Sequence, residues 1–139
     1  GAALSDVVSG LVNGSYSYRA RACNAGGCGS YSAIKSTVVT VPPAFAPTLT
    51  APSSNTSGAF SLSWTAVGTT TSYRLEQRKD SGSWSQIYSG SGLVKSVSGL
   101  GTGSYGYRTR ACNAGGCSGY SAIKTTVVTR PPATVPTLS

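Results

Sequence analysis

The chain has 139 residues, of which only 10% are charged, and 11 Lys and Arg against 3 Asp and Glu give a formal net charge of +8. It contains no His and no Met, so no Ser-His or Cys-His pair can be assembled. This composition excludes most catalytic chemistry and predicts a protein without enzymatic activity, cofactor or metal. The positive balance favours anionic partners, although it can equally serve only to keep a weakly charged chain in solution.

The sequence of the first 50 residues is repeated, with changes, in the last 50 residues of the chain. Residues 1–50 align without gaps with residues 90–139 at 34 identical positions, so that Cys23 falls on Cys112 and Cys28 on Cys117. Similarity at a fixed spacing is typical of a tandem array. We therefore expect one whole repeat of 89 residues preceded by the last part of another, either as a window of a longer array or as a subunit that shares strands with its neighbour.

A proline-rich segment joins the two parts. The segment "VPPAFAPTLTAP" begins at Val41, and a similar segment, "RPPATVPTLS", begins at Arg130. Because proline cannot donate to a sheet ladder, the segment predicts a short, stiff connector that leads into an edge strand. We expect residues 42–46 to be the linker, residues 47–130 the complete repeat, and residues 131–139 the next linker with the start of another repeat.

In the complete repeat, apolar and polar residues alternate in several segments, as they do in β-strands. In "AFSLSWTAV", Phe60, Leu62 and Trp64 alternate with small polar residues, and "SYRLEQRK" puts Tyr73 and Leu75 on one face. Both patterns indicate half-buried strands. The other candidate strands, in chain order, are "SWSQIYSG", "LVKSVSGL", "SYGYRTRAC" and "YSAIKTTVVT". Strands at roughly 8–12-residue spacing, with Gly and Ser turns between them, predict an all-β antiparallel sandwich.

Several of these residues, in order, resemble a bacterial fibronectin type III domain. They are Trp64 in the second strand, Tyr73 in the third, Leu100 before a turn, and then "YGYRTRACNAGGCSGYS". The resemblance implies an immunoglobulin-like sandwich of seven antiparallel strands, named A, B, C, C′, E, F and G. It covers the complete repeat, and it makes residues 1–41 strands E, F and G of a preceding one. In that family a tyrosine of strand F packs back at the E–F corner, a role that falls on Tyr105 and Tyr16.

The cysteines are where the chain departs from the family. On this fold Cys112 ends strand F and Cys117 begins strand G, and facing residues of antiparallel strands lie about 4.5–5.5 Å apart, within disulfide range. Disulfides Cys112–Cys117 and Cys23–Cys28 are therefore expected, and they imply an oxidising, extracellular compartment. A metal site or reduced thiols are the alternatives, but two cysteines without histidine supply at most half of a zinc site.

Arginines point outward from the predicted sheet of strands C, C′, F and G. They are Arg74 and Arg78 on strand C, Arg108 and Arg110 on strand F, and Arg19 and Arg21 in the partial repeat. They form either a solvated face, with Glu76 paired to its neighbours, or an anion-binding stripe that recurs in every module and gains strength by multivalency. Trp84 either caps the core beside strand C′ or stacks on a sugar.

Two functions fit this chain, and the fold alone does not choose between them. The first is a structural repeat of a bacterial surface stalk or filament, whose partners are other copies of the repeat joined head to tail. The second is an accessory module of a larger secreted enzyme, adhesin or toxin that binds anionic polysaccharide or the cell envelope; nucleic acid is not an expected partner. The high identity between neighbouring repeats favours the first. Because residues 1–41 lack strands A to C′, another copy is expected to cover them.

Overall fold

The computed structural model describes residues 2–132 and 138. The chain divides into two compact units, Gly1–Val41 and Pro42–Ser139. All regular secondary structure in the described residues is β, which agrees with the period-2 alternation of the sequence. In that part of the chain no helix is long and apolar enough to cross a membrane.

The first unit consists of one strand pair and a short hairpin. Its strands are β1 (Gly14–Tyr18), β2 (Cys23–Asn24), β3 (Gly27–Cys28) and β4 (Lys35–Val39). β1 pairs antiparallel with β4, and β2 pairs antiparallel with β3. Residues 2–13 contain no strand, so the prediction of a strand E in this unit is wrong.

The second unit is the complete one. Its strands are β5 (Leu49–Thr50), β6 (Ser54–Asn55), β7 (Phe60–Trp64), β8 (Ser72–Lys79), β9 (Ser85–Gly90), β10 (Val94–Val97), β11 (Gly103–Asn113), β12 (Gly116–Cys117) and β13 (Lys124–Val128). One sheet has the order β10-β7-β5, and the other has the order β6-β13-β11-β8-β9, with β12 paired to β11. The predicted strands A, B, C, C′, E, F and G correspond to β5, β7, β8, β9, β10, β11 and β13, so the unit closes on its own strands. Here strand E (β10) pairs with strand B (β7), which explains why the first unit, lacking strand B, forms no strand E.

Strand A differs from a simple antiparallel strand because it changes sheets. β5 pairs antiparallel with β7, whereas β6 pairs parallel with β13. The break falls at Pro52, which has no N–H for a ladder. Its carbonyl oxygen instead accepts a hydrogen bond of 2.6 Å from Thr126 Oγ1. The sandwich is therefore antiparallel except at this one strand pair of the described residues.

Strand G also begins later than expected. Cys117 lies in the short strand β12, and β13 starts only at Lys124. Between them the chain stays beside strand F through two bonds of 2.7 Å, from Ser118 N–H to the Ala111 carbonyl and from Ser121 N–H to the Thr109 carbonyl. The side chains of both serines accept bonds from the same stretch of β11, so the segment is fixed without forming a regular ladder.

The hydrophobic core lies between the two sheets of the complete unit. Its buried members are Leu49, Leu62, Trp64, Tyr73, Leu75, Tyr105, Tyr107, Ala111 and Val128. On β7, β8 and β11 they alternate with residues that face outward, as the sequence pattern predicts. β8 and β11 are paired from Tyr105↔Lys79 to Cys112↔Ser72. Because residues directly opposite share a face, the outward residues of both strands meet on one surface.

Candidate functional site

The outer surface of β8 and β11 gathers the predicted arginines of the complete unit. We call this surface the arginine face; it consists of Arg74, Arg78, Arg108 and Arg110 with Trp84 and Tyr120. All of these side chains are half-buried. The register places Arg74 opposite Arg110 and Glu76 opposite Arg108. Strand pairing thus brings together arginines that are distant in sequence.

Trp84 lies on the arginine face and not on the core. The guanidinium carbons of Arg78 and Arg108 lie 4.6 Å and 4.3 Å from the centroid of its ring. Gly106 lies beside both side chains of this stack, since a Cβ at that position would lie 3.3 Å from Arg78 Nε and 3.6 Å from Trp84 Cη2. The interpretation that Trp84 caps the core is therefore wrong. Stacking on a sugar stays a prediction, although two guanidinium groups already occupy ring surface that a sugar would need.

Tyr120 extends the same stack and was not singled out by the sequence. The guanidinium carbons of Arg108 and Arg110 lie 4.0 Å and 4.7 Å from its ring centroid. Each such contact contributes about 0.5–1 kcal/mol at an exposed site. The signal that could have found it is the recurrence of Tyr31 as Tyr120 at the 89-residue spacing.

Glu76 is the carboxylate of this face. Its Oε1 atom accepts a hydrogen bond of 2.9 Å from Arg108 Nε. Burial raises the pKa of Glu76, but hydrogen bonds from Tyr120 and Arg108 and the charges of Arg108 and Arg110 outweigh it, so the pKa is lowered overall. Burial and the bond to Glu76 raise the pKa of Tyr120. At neutral pH one carboxylate therefore faces four guanidinium groups.

Arg74 and Arg110 form one end of the arginine face, and neither is in ion-pair contact with a carboxylate among the described residues. They lie directly opposite each other, and like charges in that position repel. Arg108–Glu76 is the only ion pair among residues 2–132 and 138. The Nε atom of Arg110 is buried without a hydrogen-bond partner. An anion bound beside these two side chains would reduce the repulsion between their guanidinium groups.

The first unit repeats part of this arrangement. The guanidinium carbons of Arg19 and Arg21 lie 3.8 Å and 4.6 Å from the ring centroid of Tyr31, which matches Arg108 and Arg110 over Tyr120. The unit has no counterpart of Arg74, Arg78 or Trp84, since it lacks strand C. The arginine-tyrosine stack therefore forms from strands F and G alone.

The opposite side of the first unit is an uncovered apolar surface. We call it the bare face; it consists of Tyr16, Tyr18, Ala20, Ala22, Thr37 and Val39. Tyr18 is 40% exposed, whereas its counterpart Tyr107 is 0% exposed in the complete unit. Ala20 and Ala22 are exposed beside an open cavity of about 1020 Å³ that is also lined by Leu4, Arg21 and Tyr31. Their counterparts Thr109 and Ala111 are fully buried. A two-stranded sheet with one apolar side in water is marginal at best.

Solved structures that resemble the chain include fibronectin type III domains. The chain superposes on the FN1-FN3 domains of chicken CNTN1 with a TM-score of 0.59 and 17% identity, over 85% of this chain and 43% of that one. The complete unit has the fibronectin type III fold. The twitchin kinase region of C. elegans (Fn31-NL-kin-CRD-Ig26) gives a TM-score of 0.51 and 25% identity, over 62% of this chain and 17% of that one. No protein-family model matches the chain, and no curated protein matches it.

The tyrosine expected at the E–F corner of a fibronectin type III domain is present twice. Tyr105 donates a hydrogen bond of 2.9 Å to the carbonyl of Gly101. In the first unit Tyr16 donates one of 2.8 Å to the carbonyl of Val12. The corner therefore forms from local sequence and does not require the opposing sheet.

Both expected disulfides are present on this fibronectin type III scaffold. They join Cys23 to Cys28 and Cys112 to Cys117, each with Cα atoms 4.0 Å apart, and no cysteine is free. In each unit the bridge closes a hairpin whose turn is Asn-Ala-Gly-Gly. Among the described residues, no three His, Cys, Asp or Glu side chains lie together as a metal site would require.

Proposed function

We propose that the chain is a non-catalytic structural repeat of an extracellular stalk or filament on a bacterial surface, with units joined head to tail. The observation that carries this proposal is the duplication of the F–G sequence together with several of its local features. The pairing Gly14↔Val39 recurs as Gly103↔Val128, and the disulfide, the tyrosine corner and the arginine-tyrosine stack recur with it. A segment that is repeated almost unchanged at a spacing of 89 residues suits an array in which every unit has the same mechanical role.

The repetition of residues 1–50 at a spacing of 89 residues supports the head-to-tail arrangement. Tyr18 is 40% exposed on the bare face, and a second sheet that covered it would stabilise the first unit. A contact between one end of a unit and the other end of its neighbour is heterologous, and it produces an open filament when the rotation between units does not close. The disulfides support an extracellular location, since such bridges persist in oxidising compartments.

The proposal is tested by locating the protein on its source cells. Antibodies raised against the purified chain are expected to label fibres that project from intact cells in immunogold electron microscopy. Pre-absorption of the antibodies with the chain should remove the label. Label confined to the cytosol, or to a soluble secreted enzyme, would contradict a structural role.

A second candidate, favoured by the Arg74–Arg110 pair, is an accessory module that binds an anionic polysaccharide through the arginine face. The two guanidinium groups oppose each other without a carboxylate in ion-pair contact. A polyanion that spans several units would add weak contacts by multivalency. Carboxylate or sulfate groups suit these donors because planar guanidinium groups bind them in a bidentate manner.

The double substitution Arg74→Gln/Arg110→Gln tests this second function. We expect about tenfold weaker retention on immobilised dextran sulfate, which corresponds to about 1.4 kcal/mol, and an almost unchanged melting temperature. The matched control is Lys35→Gln/Lys124→Gln, which removes two exposed positive charges outside the arginine face. Equal retention of the arginine variant and the parent would leave the arginine face as a solvated surface.

A further inference from the structure

The complete unit begins with two adjacent prolines, Pro42 and Pro43, which we call the diproline segment. The segment lies ahead of strand A and forms no strand of its own. Pro43 is nevertheless buried, whereas Phe45, two residues further on, is 75% exposed. One proline ring is therefore shielded from water in a part of the chain that no sheet ladder holds.

The ring of the other proline, Pro42, lies against the hairpin that joins strands F and G. We call this hairpin, residues 112–117, the second hairpin. A Cβ at Gly116 would lie 3.3 Å from Pro42 Cγ and 3.8 Å from Pro42 Cβ. Gly116 also has a φ of 133°, a conformation that residues with a side chain rarely adopt. Glycine at this position therefore allows both the turn of the backbone and the close approach of the proline ring.

The second hairpin is held in shape by several bonds. The disulfide Cys112–Cys117 closes it, and Asn113 pairs with Gly116 across its two strands. Asn113 Nδ2 also donates a hydrogen bond of 2.9 Å to the Thr69 carbonyl, which ties the hairpin to the connection between strands B and C. A surface fixed in this way loses little conformational freedom when a segment docks on it.

The first unit shows that such a hairpin forms without a proline against it. Its own hairpin, residues 23–28, has the same six residues and the equivalent strand pairing. Gly27 has a φ of 127°, close to the 133° of Gly116. Beyond its chain neighbours, no described atom lies within 4 Å of a Cβ built at Gly27. The hairpin therefore takes its shape from its own sequence, and the contact with Pro42 is added to it.

The diproline segment is suited to dock on a preformed surface. Each proline ring fixes its own φ, and the second proline restricts the first to extended conformations, so the segment is ordered before it docks. The six residues of the second hairpin include no charged side chain, so the contact is apolar and should depend little on salt. The same pair of prolines recurs as Pro131 and Pro132 at the 89-residue spacing.

We infer that the disulfide-closed hairpin between strands F and G is a docking site for the diproline segment that precedes the same unit. In the complete unit Gly116 provides the point of contact, and the disulfide keeps it in place. The bridge thereby controls how firmly the connector is held, in addition to stabilising the unit. This docking is a property of one unit and does not depend on the proposed role at the cell surface.

Chymotrypsin digestion of the folded 139-residue chain tests this inference. Cleavage after Phe45 requires the connector to open, and its rate follows the population of the open form. Gly116→Ala is expected to increase this rate about fivefold, because the added Cβ displaces Pro42 from the hairpin. Gly27→Ala is the matched control, since it imposes the same backbone strain where no proline is in contact. Mass spectrometry measures the fragment that begins at Ala46.

The segment and the disulfide are tested by the same measurement. Pro42→Ala removes the ring that contacts Gly116 and should increase cleavage after Phe45, whereas Pro131→Ala should not. A free peptide of residues 40–50 with and without Pro42→Ala corrects for any change in how the protease binds its substrate. Cys112→Ala/Cys117→Ala should also increase this cleavage, with Cys23→Ala/Cys28→Ala as its control.

Three results would overturn this docking site. Equal cleavage after Phe45 in the parent, Gly116→Ala and Pro42→Ala would mean that the contact does not hold the connector. Cleavage after the fully buried Tyr107 as fast as that after Phe45 would assign the effect to unfolding of the whole unit. Protection of Phe45 that is lost on dilution would identify the prolines of a second copy as the occupant. All of these measurements use purified protein, so they are independent of where the protein is found on cells.

Discussion

Replacing Tyr107 by Ala is expected to destabilise the complete unit by about 3–5 kcal/mol. Tyr107 is fully buried between the sheets, and its ring packs edge-on against Phe60 with centroids 5.9 Å apart. Its hydroxyl donates a hydrogen bond of 2.9 Å to Gln77 Oε1. The substitution therefore leaves both a cavity and an amide without its partner. Guanidinium denaturation followed by tryptophan fluorescence measures the loss.

The repeat supplies a matched control for this experiment. Tyr18 occupies the equivalent position in the first unit but is 40% exposed on the bare face. Tyr18→Ala should leave the free energy of unfolding almost unchanged. Both tryptophans of the chain, Trp64 and Trp84, lie in the complete unit, so their fluorescence reports that unit. An equal loss from both substitutions would mean that the two units unfold together.

Removing the second disulfide by Cys112→Ala/Cys117→Ala is expected to cost about 2 kcal/mol. The bridge closes a loop of only six residues, and the entropy lost by an unfolded chain with such a loop corresponds to this value. Cys112 is also buried at 3% exposure, so the substitution removes some packing as well. The midpoint of urea denaturation measures the change under non-reducing conditions.

The first disulfide provides the comparison. Cys23→Ala/Cys28→Ala removes the same bridge from the first unit, where both cysteines are exposed. It should not change the tryptophan-detected transition of the complete unit. A loss of similar size from either pair would mean that the two units unfold together. No loss from Cys112→Ala/Cys117→Ala would contradict a stabilising role for the bridge.

Much of the fold could be predicted because alternation and cross-strand pairing are local properties. The segment "SYRLEQRK" is strand β8 residue for residue, because Tyr73 and Leu75 must face the core while Arg74 between them faces outward. The disulfides and the outward direction of Arg108 and Arg110 follow from the same two-residue period.

The features that were missed depend on partners distant in sequence. The sequence pattern predicted strand E in residues 1–13 although these residues contain no strand B, because it does not show that strand E forms only when it is paired with strand B. Trp84 lies in the connection before β9, where no period indicates a face. Its position depends on contact with Gly106 and with arginines from two strands, Arg78 of β8 and Arg108 of β11. The parallel pairing of β6 with β13 depends on where Pro52 interrupts strand A.

That parallel pair also determines how the complete unit responds to a pulling force. Val127 N–H donates to the Ser53 carbonyl at 3.0 Å, and Thr129 N–H donates to the Asn55 carbonyl at 2.9 Å. Tension along the chain pulls β6 toward the N-terminus and β13 toward the C-terminus. Because the two strands are parallel neighbours, this tension slides one along the other and loads both bonds at the same time. An antiparallel pair pulled from its open end would instead break one bond after another, so this arrangement suits a module that carries load along its length.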